Sequence, residues 1–460
     1  MTIWTPRLPT DRPKYLGLAD AIDVDLADGV LAPGQRLPTH RDLAEALGVT
    51  VGTVTRGYAE AARRGSVRGE VGRGTIVAPA QEGASPWWGG GKDAQPKIDL
   101  GLVTGMYGLD PDLGAALRAL AAKADAQEYL CYQPSRGMAR HREAGAHWCS
   151  RFGVQAGAER ILVTAGGQHA LLVLLSVLFR PGDRVAAGCL NYPGLMSAAA
   201  LLGLKLVPVA MDEEGVVPEA LEEVCAREGV RGLYLMPGSH NPTTASPGAA
   251  RQARLAEQAR SRNLQVIEDA AYALTVDEPL VSLANLAPER TFFIASVSKL
   301  VAGGLRVAFV ACPQEHVERL ELGITGTTWM ASPLCAEIAC AWILDGTADA
   351  TMRRKRAEAA RRGEVARRVL AGRRFAALRH GYFLWLSLPE PWRGADFERA
   401  AGLRGVVVIA GDSFAVGQTP APAAVRVSLS AARSRQELER GLGILAELLD
   451  EAPRPGRAIV

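Results

Sequence analysis

Little in this chain points to an oxidising compartment, a metal or a membrane. Its seven cysteines, Cys131, Cys149, Cys189, Cys225, Cys312, Cys335 and Cys340, are scattered and contain no CxxC pair. That spacing excludes a zinc site and a disulfide frame, and the thiols read as free groups in a reducing compartment. The seven histidines show no metal-ligand spacing. The opening MTIWTPRLPTDRPKY has no apolar core, so it is not a secretory signal. The longest apolar run, 170–179, is ten residues broken by Ser176. It is too short to span a bilayer and suits a buried helix. A cytoplasmic protein with no membrane partner is expected. Excess charge is also lacking: the formal net charge is +3, which by itself says nothing about nucleic acid. What remains is an ordinary globular composition, 48% hydrophobic and 22% charged, over 460 residues. That length fits roughly two to four domains.

Texture divides the chain. Residues 1–78 are compact, polar and helix-like. Residues 79–97, rich in Gly, Pro and Ala and holding Trp87 and Trp88, read as a linker. From residue 98 short apolar strands alternate with amphipathic helices. Strands are predicted at 160–164, 184–187, 204–209, 232–236, 264–268, 291–295 and 306–311, with helices such as 168–179 and 248–262 between them. This alternation implies an α/β fold, a largely parallel sheet with helices on both faces. Near residue 346 the pattern changes to a long Arg-rich helix, 351–370, three strand-like segments at 382–388, 406–409 and 425–429, and a closing helix, 435–449. The expected domains are therefore 1–78, a linker 79–97, 98–345, and a smaller C-terminal α+β subdomain, 346–460.

Within 33–65, Thr39 can cap a short helix carrying Leu43 and Leu47 on one face, and Gly48 can end it. Thr50 can cap a second helix that turns Val54, Tyr58 and Ala61 inward and leaves Thr53, Arg56 and Glu60 outward. This is a helix-turn-helix arrangement, whose second helix enters the DNA major groove. Residues 66–77 follow as strand, Gly-rich turn and strand, a wing that offers Arg68 and Arg73. Residues 34–77 hold seven arginines against four acids, and arginines of this kind drive phosphate binding. A small helical docking domain remains the alternative on spacing alone. The run PGQRLPTHRDLAEALGVTVGTVTRGYAEAARRGSVRGEVGRGT resembles the winged helix-turn-helix of GntR-type bacterial regulators. The resemblance implies DNA contacts at Arg41, Thr50, Thr53 and Arg56, a phosphate contact at Arg36, and a wing lying close to the DNA.

Three features of the larger part share a theme. ILVTAGGQHALLVLL is a strand, a Gly166-Gly167 joint and a helix, whose free N–H groups can cradle a phosphate. NLQVIEDAAY places Asp269 at the carboxyl end of an apolar strand, where open α/β sheets hold ligands. TFFIASVSKL brings Lys299 to a similar strand end, with Ser296, Ser298 and Arg306 close by for a phosphate. Each alone has a bland reading: a common joint, a helix cap, a surface lysine. Together they supply what pyridoxal phosphate chemistry requires, a Schiff-base lysine, a carboxylate for the ring nitrogen and a phosphate cradle. The Arg-rich helix, with Glu358 and Glu364 interspersed, reads as a solvated face more than as an auxiliary DNA surface.

Residues 98–449 resemble the fold-type I aminotransferases through YQPSRG, TAGGQHAL, NYPG, PGSHNPT, IEDAAY, SVSKLVAGGLR and VRVSLS. The resemblance implies pyridoxal 5'-phosphate as cofactor and Lys299 as its Schiff-base lysine. Asp269 would hold the ring nitrogen, and Asn241 and Tyr272 would approach the ring hydroxyl. Tyr192 would stack on the ring. Gly167, Gln168, Ser296, Ser298 and Arg306 would bind the phosphate, with Tyr132 reaching that of a partner subunit. Arg426 would take the carboxylate of an amino-acid ligand. The chain departs from the family at AAGCLN before Tyr192, at Thr243-Thr244 where Gly is usual, and at AGGLR before Arg306. A winged helix joined to such a domain resembles the MocR subfamily of GntR regulators. That implies a homodimer on repeated promoter half-sites, sensing an amino acid or amine by Schiff-base exchange at Lys299. A regulator that senses the cofactor itself, or an active aminotransferase with an accessory DNA-binding domain, are the other readings.

Overall fold

The computed structural model describes residues 4–6, 8, 13–28, 30–32, 34–63, 66–70, 74–77, 97–123, 125–277 and 280–451. The expected linker, with Trp87 and Trp88, lies outside them except for Lys97, and so does Arg73. The chain divides into two compact units, Met1–Pro96 with Arg433–Arg440, and Lys97–Ala432 with Gly441–Val460.

Among its described residues up to 77 the first unit forms the helices α1 (Lys14–Ala27), α2 (His40–Leu47) and α3 (Val51–Arg63) and a hairpin of β1 (Val67–Glu70) and β2 (Gly74–Val77). Thr39 caps α2 by accepting the Asp42 N–H, and Gly48 closes it in the left-handed conformation at φ 60°. The Thr53 N–H donates to the Thr50 hydroxyl at the head of α3. Val54, Tyr58 and Ala61 are buried, as their i, i+4, i+7 spacing requires. Helix α1 was not singled out in the sequence. Its Leu18, Ala19 and Ile22 complete this core. Gly57 permits the close approach, since a Cβ there would stand 2.7 Å from Leu18 Cδ2.

The second unit is built on a seven-stranded sheet of β3 (Ile161–Thr164), β4 (Arg184–Gly188), β5 (Lys205–Val209), β6 (Gly232–Leu235), β7 (Gln265–Asp269), β8 (Thr291–Ser296) and β9 (Ala308–Ala311). The order is β3-β9-β8-β7-β6-β4-β5, with β9 antiparallel to both neighbours and the other pairs parallel. Both faces are covered. Phe292 and Ile294 of β8 enter the core that contains Leu171 and Leu174 of α4 (Gly167–Leu178), whereas Phe293 and Ala295 enter the core of Trp148 and Phe152. This period-2 split explains why β8 reads as a continuous apolar run. Helix α5 (Thr347–Val369) leads to a four-stranded antiparallel sheet of β10 (Phe375–Ala377), β11 (Phe383–Ser387), β12 (Ile409–Ala410) and β13 (Ala424–Ser428), ordered β10-β11-β13-β12.

Helix α5 corrects one expectation. Its cations are not all on a solvated face: Lys355 and Arg362 are buried. Lys355 Nζ donates to Asp110 (2.5 Å) and to the Val301 carbonyl (2.8 Å). Arg356 donates to the carbonyls of Leu274 and Val276, and Arg362 to those of Leu429 and Ala432. Arg353, Arg361, Arg367 and Arg368 do face outward. Among the described residues no helix is long and apolar enough to cross a membrane, and no cluster of His, Cys, Asp or Glu could hold a metal.

Candidate functional site

The carboxyl ends of β3, β7 and β8 meet around one space. Asp269 is the last residue of β7 and is buried. Its Oδ1 accepts the Ala271 N–H (3.1 Å) and its Oδ2 accepts the hydroxyl of Tyr234 (3.0 Å). Burial pushes the carboxyl above its ordinary range, and these two donors pull it back. Tyr234 is completely buried on the neighbouring β6. It was missed in the sequence because a tyrosine in an apolar strand looks like core. Only the β6–β7 register brings its hydroxyl to Asp269.

Lys299 follows β8. Its Nζ donates to the Val103 carbonyl at 2.6 Å and lies 5.9 Å from the centre of the Tyr272 ring. Burial first, then the Arg426 and Arg306 charges, bring its pKa down to about 8. An amine in that range is a nucleophile near neutral pH. Tyr272 is buried, its ring edge-on to Tyr382 and Phe383, and Tyr192 is half-buried at the head of the helix Pro193–Leu201.

A third group faces the N-terminus of α4. A Cβ on Gly166, which has φ +87°, would fall 2.6 Å from Arg306 Nη2, and one on Gly167 would lie 3.7 Å from Ser296 Oγ. Arg306 Nη1 donates to Ser298 Oγ at 3.4 Å, and the Ser298 N–H donates to Ser296 Oγ at 3.2 Å. A guanidinium, two hydroxyls and free helical N–H groups around a glycine pair form a concavity of the kind that takes a phosphate. Arg306 and Gln168 are exposed, and Gln168 donates to the Gly194 carbonyl.

On β13, Arg426 is buried. It donates through Nη1 to Asn241 Oδ1 (2.8 Å) and through Nη2 to the Gly101 carbonyl (2.6 Å). Its Nε is buried without a partner. Thr244 stands where the family has glycine and adopts φ +64°, a left-handed backbone that a β-branched residue holds only under strain. Tyr132 is not brought to the site within the chain. It is 82% exposed, with its ring 5.8 Å from that of Trp329.

In the first unit, Arg36, Arg41, Thr50 and Arg56 are exposed and Thr53 is half-buried, its hydroxyl 2.9 Å from that of Thr50. Arg56 lies over the ring of Tyr15 at 5.3 Å. Arg36 pairs with Ile76 of β2 in an isolated bridge. The side chain of Arg68 lies outside the described residues, as Arg73 does.

Two family models match the chain: bacterial regulatory proteins of the gntR family over residues 14–77, and aminotransferase class I and II over residues 97–445. The HTH-type transcriptional regulator YdeF of Bacillus subtilis is 34% identical over 452 residues, covering 97% of each chain. The HTH-type pyridoxine biosynthesis regulator PdxR of Corynebacterium glutamicum is 29% identical, covering 70% of this chain and 71% of its own. Among solved structures, the α-aminoadipate aminotransferase LysN of Thermus thermophilus, complexed with N-(5'-phosphopyridoxyl)-L-leucine, superposes with a TM-score of 0.69 at 28% identity, over 77% of this chain and 92% of its own.

Proposed function

The chain belongs to the MocR subfamily of GntR-type transcriptional regulators, and from that premise we propose that it binds promoter DNA under the control of an amino acid or amine sensed at Lys299. The observation that carries this reading is the meeting of Lys299, Asp269 and the Gly166–Arg306 concavity at one sheet edge. These residues fit pyridoxal 5'-phosphate. A Cβ at residue 166 would run into the Arg306 guanidinium, so glycine there keeps the concavity open, and it is lined by phosphate donors. Asp269, Asn241 and Tyr272 would hold the ring and its hydroxyl, Tyr192 its face, and Gly167, Gln168, Ser296, Ser298 and Arg306 the phosphate. When bound, the cofactor supplies an aldehyde that condenses reversibly with primary amines. The chain's part is to lower the Lys299 pKa so that more of its amine is unprotonated near neutral pH, to hold Asp269 where a ring nitrogen needs a carboxylate, and to offer Arg426 to a ligand carboxylate.

On the DNA side Arg41, Thr50, Thr53 and Arg56 would read or grip the major groove, with Arg36, Arg68 and Arg73 on the backbone or minor groove. The protein would act in the cytoplasm as a homodimer, Tyr132 reaching the partner's cofactor phosphate, on repeated half-sites. The experiment is a titration of full-length protein with its upstream promoter, with and without pyridoxal 5'-phosphate and the common amino acids and amines. Lys299→Ala should keep DNA binding and lose the response. A wild type that stays colourless with the cofactor would refute the reading.

A second reading is favoured by the relative named for pyridoxine biosynthesis: the cofactor itself would be the signal. DNA affinity would then move with pyridoxal 5'-phosphate alone. Turnover of amino acids with oxo-acids would instead favour an active aminotransferase with an accessory reader.

A further inference from the structure

The first stretch of the second unit, residues 98–104, crosses the site. Its start is tied down: the Ile98 N–H donates to the Gly405 carbonyl (2.8 Å), and the Leu100 N–H to that of Val407 (2.9 Å). The Leu100 carbonyl accepts the Ser428 N–H (2.7 Å). At the other end Thr104 is stapled to Ser430 twice, N–H to Oγ (3.1 Å) and Oγ1 to the carbonyl (2.9 Å). Between these anchors the Gly101 carbonyl accepts from Arg426 Nη2 and the Val103 carbonyl from Lys299 Nζ, each at 2.6 Å. The two cations assigned to a ligand's carboxylate and to the amine exchange thus both end on one three-residue stretch of backbone.

Both bonds are placed to be lost. Nε and Nη2 lie along one edge of the guanidinium, and a carboxylate binds that edge with two parallel hydrogen bonds. Here Nε is buried and unpartnered while Nη2 is spent on Gly101. A carboxylate on this edge satisfies the orphan donor and displaces the Gly101 carbonyl, because a full charge outcompetes a carbonyl dipole for a buried cation. Val103 is released differently. When the Lys299 amine condenses with an aldehyde, two N–H hydrogens leave with the carbonyl oxygen as water. The nitrogen then no longer donates to Val103 as the amine did.

We propose that residues 98–104 are an internal competitor for the site, and that occupancy of Lys299 and Arg426 is reported by release of this stretch. It follows directly in the chain on residues 78–96, which connect it to the DNA reader. The cofactor's aldehyde on Lys299 frees Val103 and a carboxylate on Arg426 frees Gly101, so full release needs both; an amine that takes the aldehyde over returns Lys299 as a free amine able to donate to Val103 again. This rests on the sensor reading above.

The test is hydrogen–deuterium exchange on the full-length protein, beside its visible spectrum and its promoter affinity. With pyridoxal 5'-phosphate bound, the Thr104 amide should exchange severalfold faster than without it, and the Gly101 and Leu102 amides, which donate to Asp99 Oδ1, should follow only when a carboxylate ligand is added as well. Arg426→Gln should raise exchange at Gly101 and Leu102 with no ligand present. Thr104→Val removes one staple bond, Oγ1 to the Ser430 carbonyl, and Ser430→Ala removes the other, N–H to Oγ, and neither touches Lys299 or Arg426. Each should loosen 101–104 and shift promoter affinity by roughly 5–150-fold, the usual range of coupling between sites, while the visible band forms as in wild type. A normal band with unchanged exchange at 101–104 overturns the competitor and leaves the sensor standing. Faster exchange in Thr104→Val and Ser430→Ala with unchanged promoter affinity overturns it too. No visible band in wild type overturns the sensor, and the competitor with it.

Discussion

The hydroxyl of Tyr234 donates to Asp269 Oδ2 across 3.0 Å at the buried edge of β7. A carboxylate in apolar surroundings drifts toward its neutral form, and this bond is one of two that oppose the drift. Tyr234→Phe should therefore raise the Asp269 pKa further and weaken its hold on a protonated ring nitrogen. A hydrogen bond to a charged group contributes about 1.5–3 kcal/mol. The affinity for pyridoxal 5'-phosphate, read by the visible band, should fall about tenfold or more with the fold unchanged.

Lys299 is expected to react as an amine with a pKa of about 8. Its depressed pKa means that the unprotonated fraction rises tenfold per pH unit up to about 8 and then levels. An ordinary lysine, near 10.4, would keep rising well beyond pH 9. The rate of chromophore formation against pH distinguishes the two, since a break near 8 supports the environment described and a steady rise to pH 10 contradicts it.

Lys355 is completely buried, and its partner Asp110 is 26% exposed. Removing one member of a buried pair costs about 3–5 kcal/mol. Lys355→Ala should lie at the low end of that range because water can reach Asp110. Lys355→Met with Asp110→Asn should recover part of the loss. Urea unfolding, with its midpoint and slope compared across the variants, checks this.

Thr244 holds a left-handed backbone at φ +64°. Strain of this kind costs of order 1–3 kcal/mol, part of which the greater freedom of an unfolded glycine cancels. Thr244→Gly should be stabilising by about 1 kcal/mol in the same assay. A destabilised variant would mean that the Thr244 side chain contributes more than the strain removes.

Arg56 is outward on α3 and lies over the Tyr15 ring. If it reads a base, Arg56→Ala should cost about 1–3 kcal/mol and relax specificity at one position. If it grips phosphate, the loss should be equal on specific and random DNA and the salt dependence shallower. Anisotropy titrations at several salt concentrations separate the two outcomes.

The amino-acid sequence by itself determined the strand–helix alternation, the caps at Thr39 and Gly48, and the inward face of Val54, Tyr58 and Ala61. Each depends on neighbours a few residues apart, where periodicity and backbone preference act directly. Helix α1 escaped notice because no side chain caps its start, and its Leu18 packs where Gly57 of α3 lacks a Cβ. The motifs around Lys299, Asp269 and Gly166 were legible too, since strand ends followed by glycine or small polar residues mark the ligand edge of a parallel sheet.

Only the tertiary structure decided which groups those residues would meet. Tyr234 and Asp269 are 35 residues apart and Lys299 and Val103 are 196 apart; register on the sheet and chain crossing, not local pattern, join them. The cations of α5 show the same limit. Charge alone placed all of them in water, but Lys355, Arg356 and Arg362 turn inward because the fold brings Asp110 and the carbonyls of Val301, Val276, Leu429 and Ala432 within hydrogen-bonding reach of them.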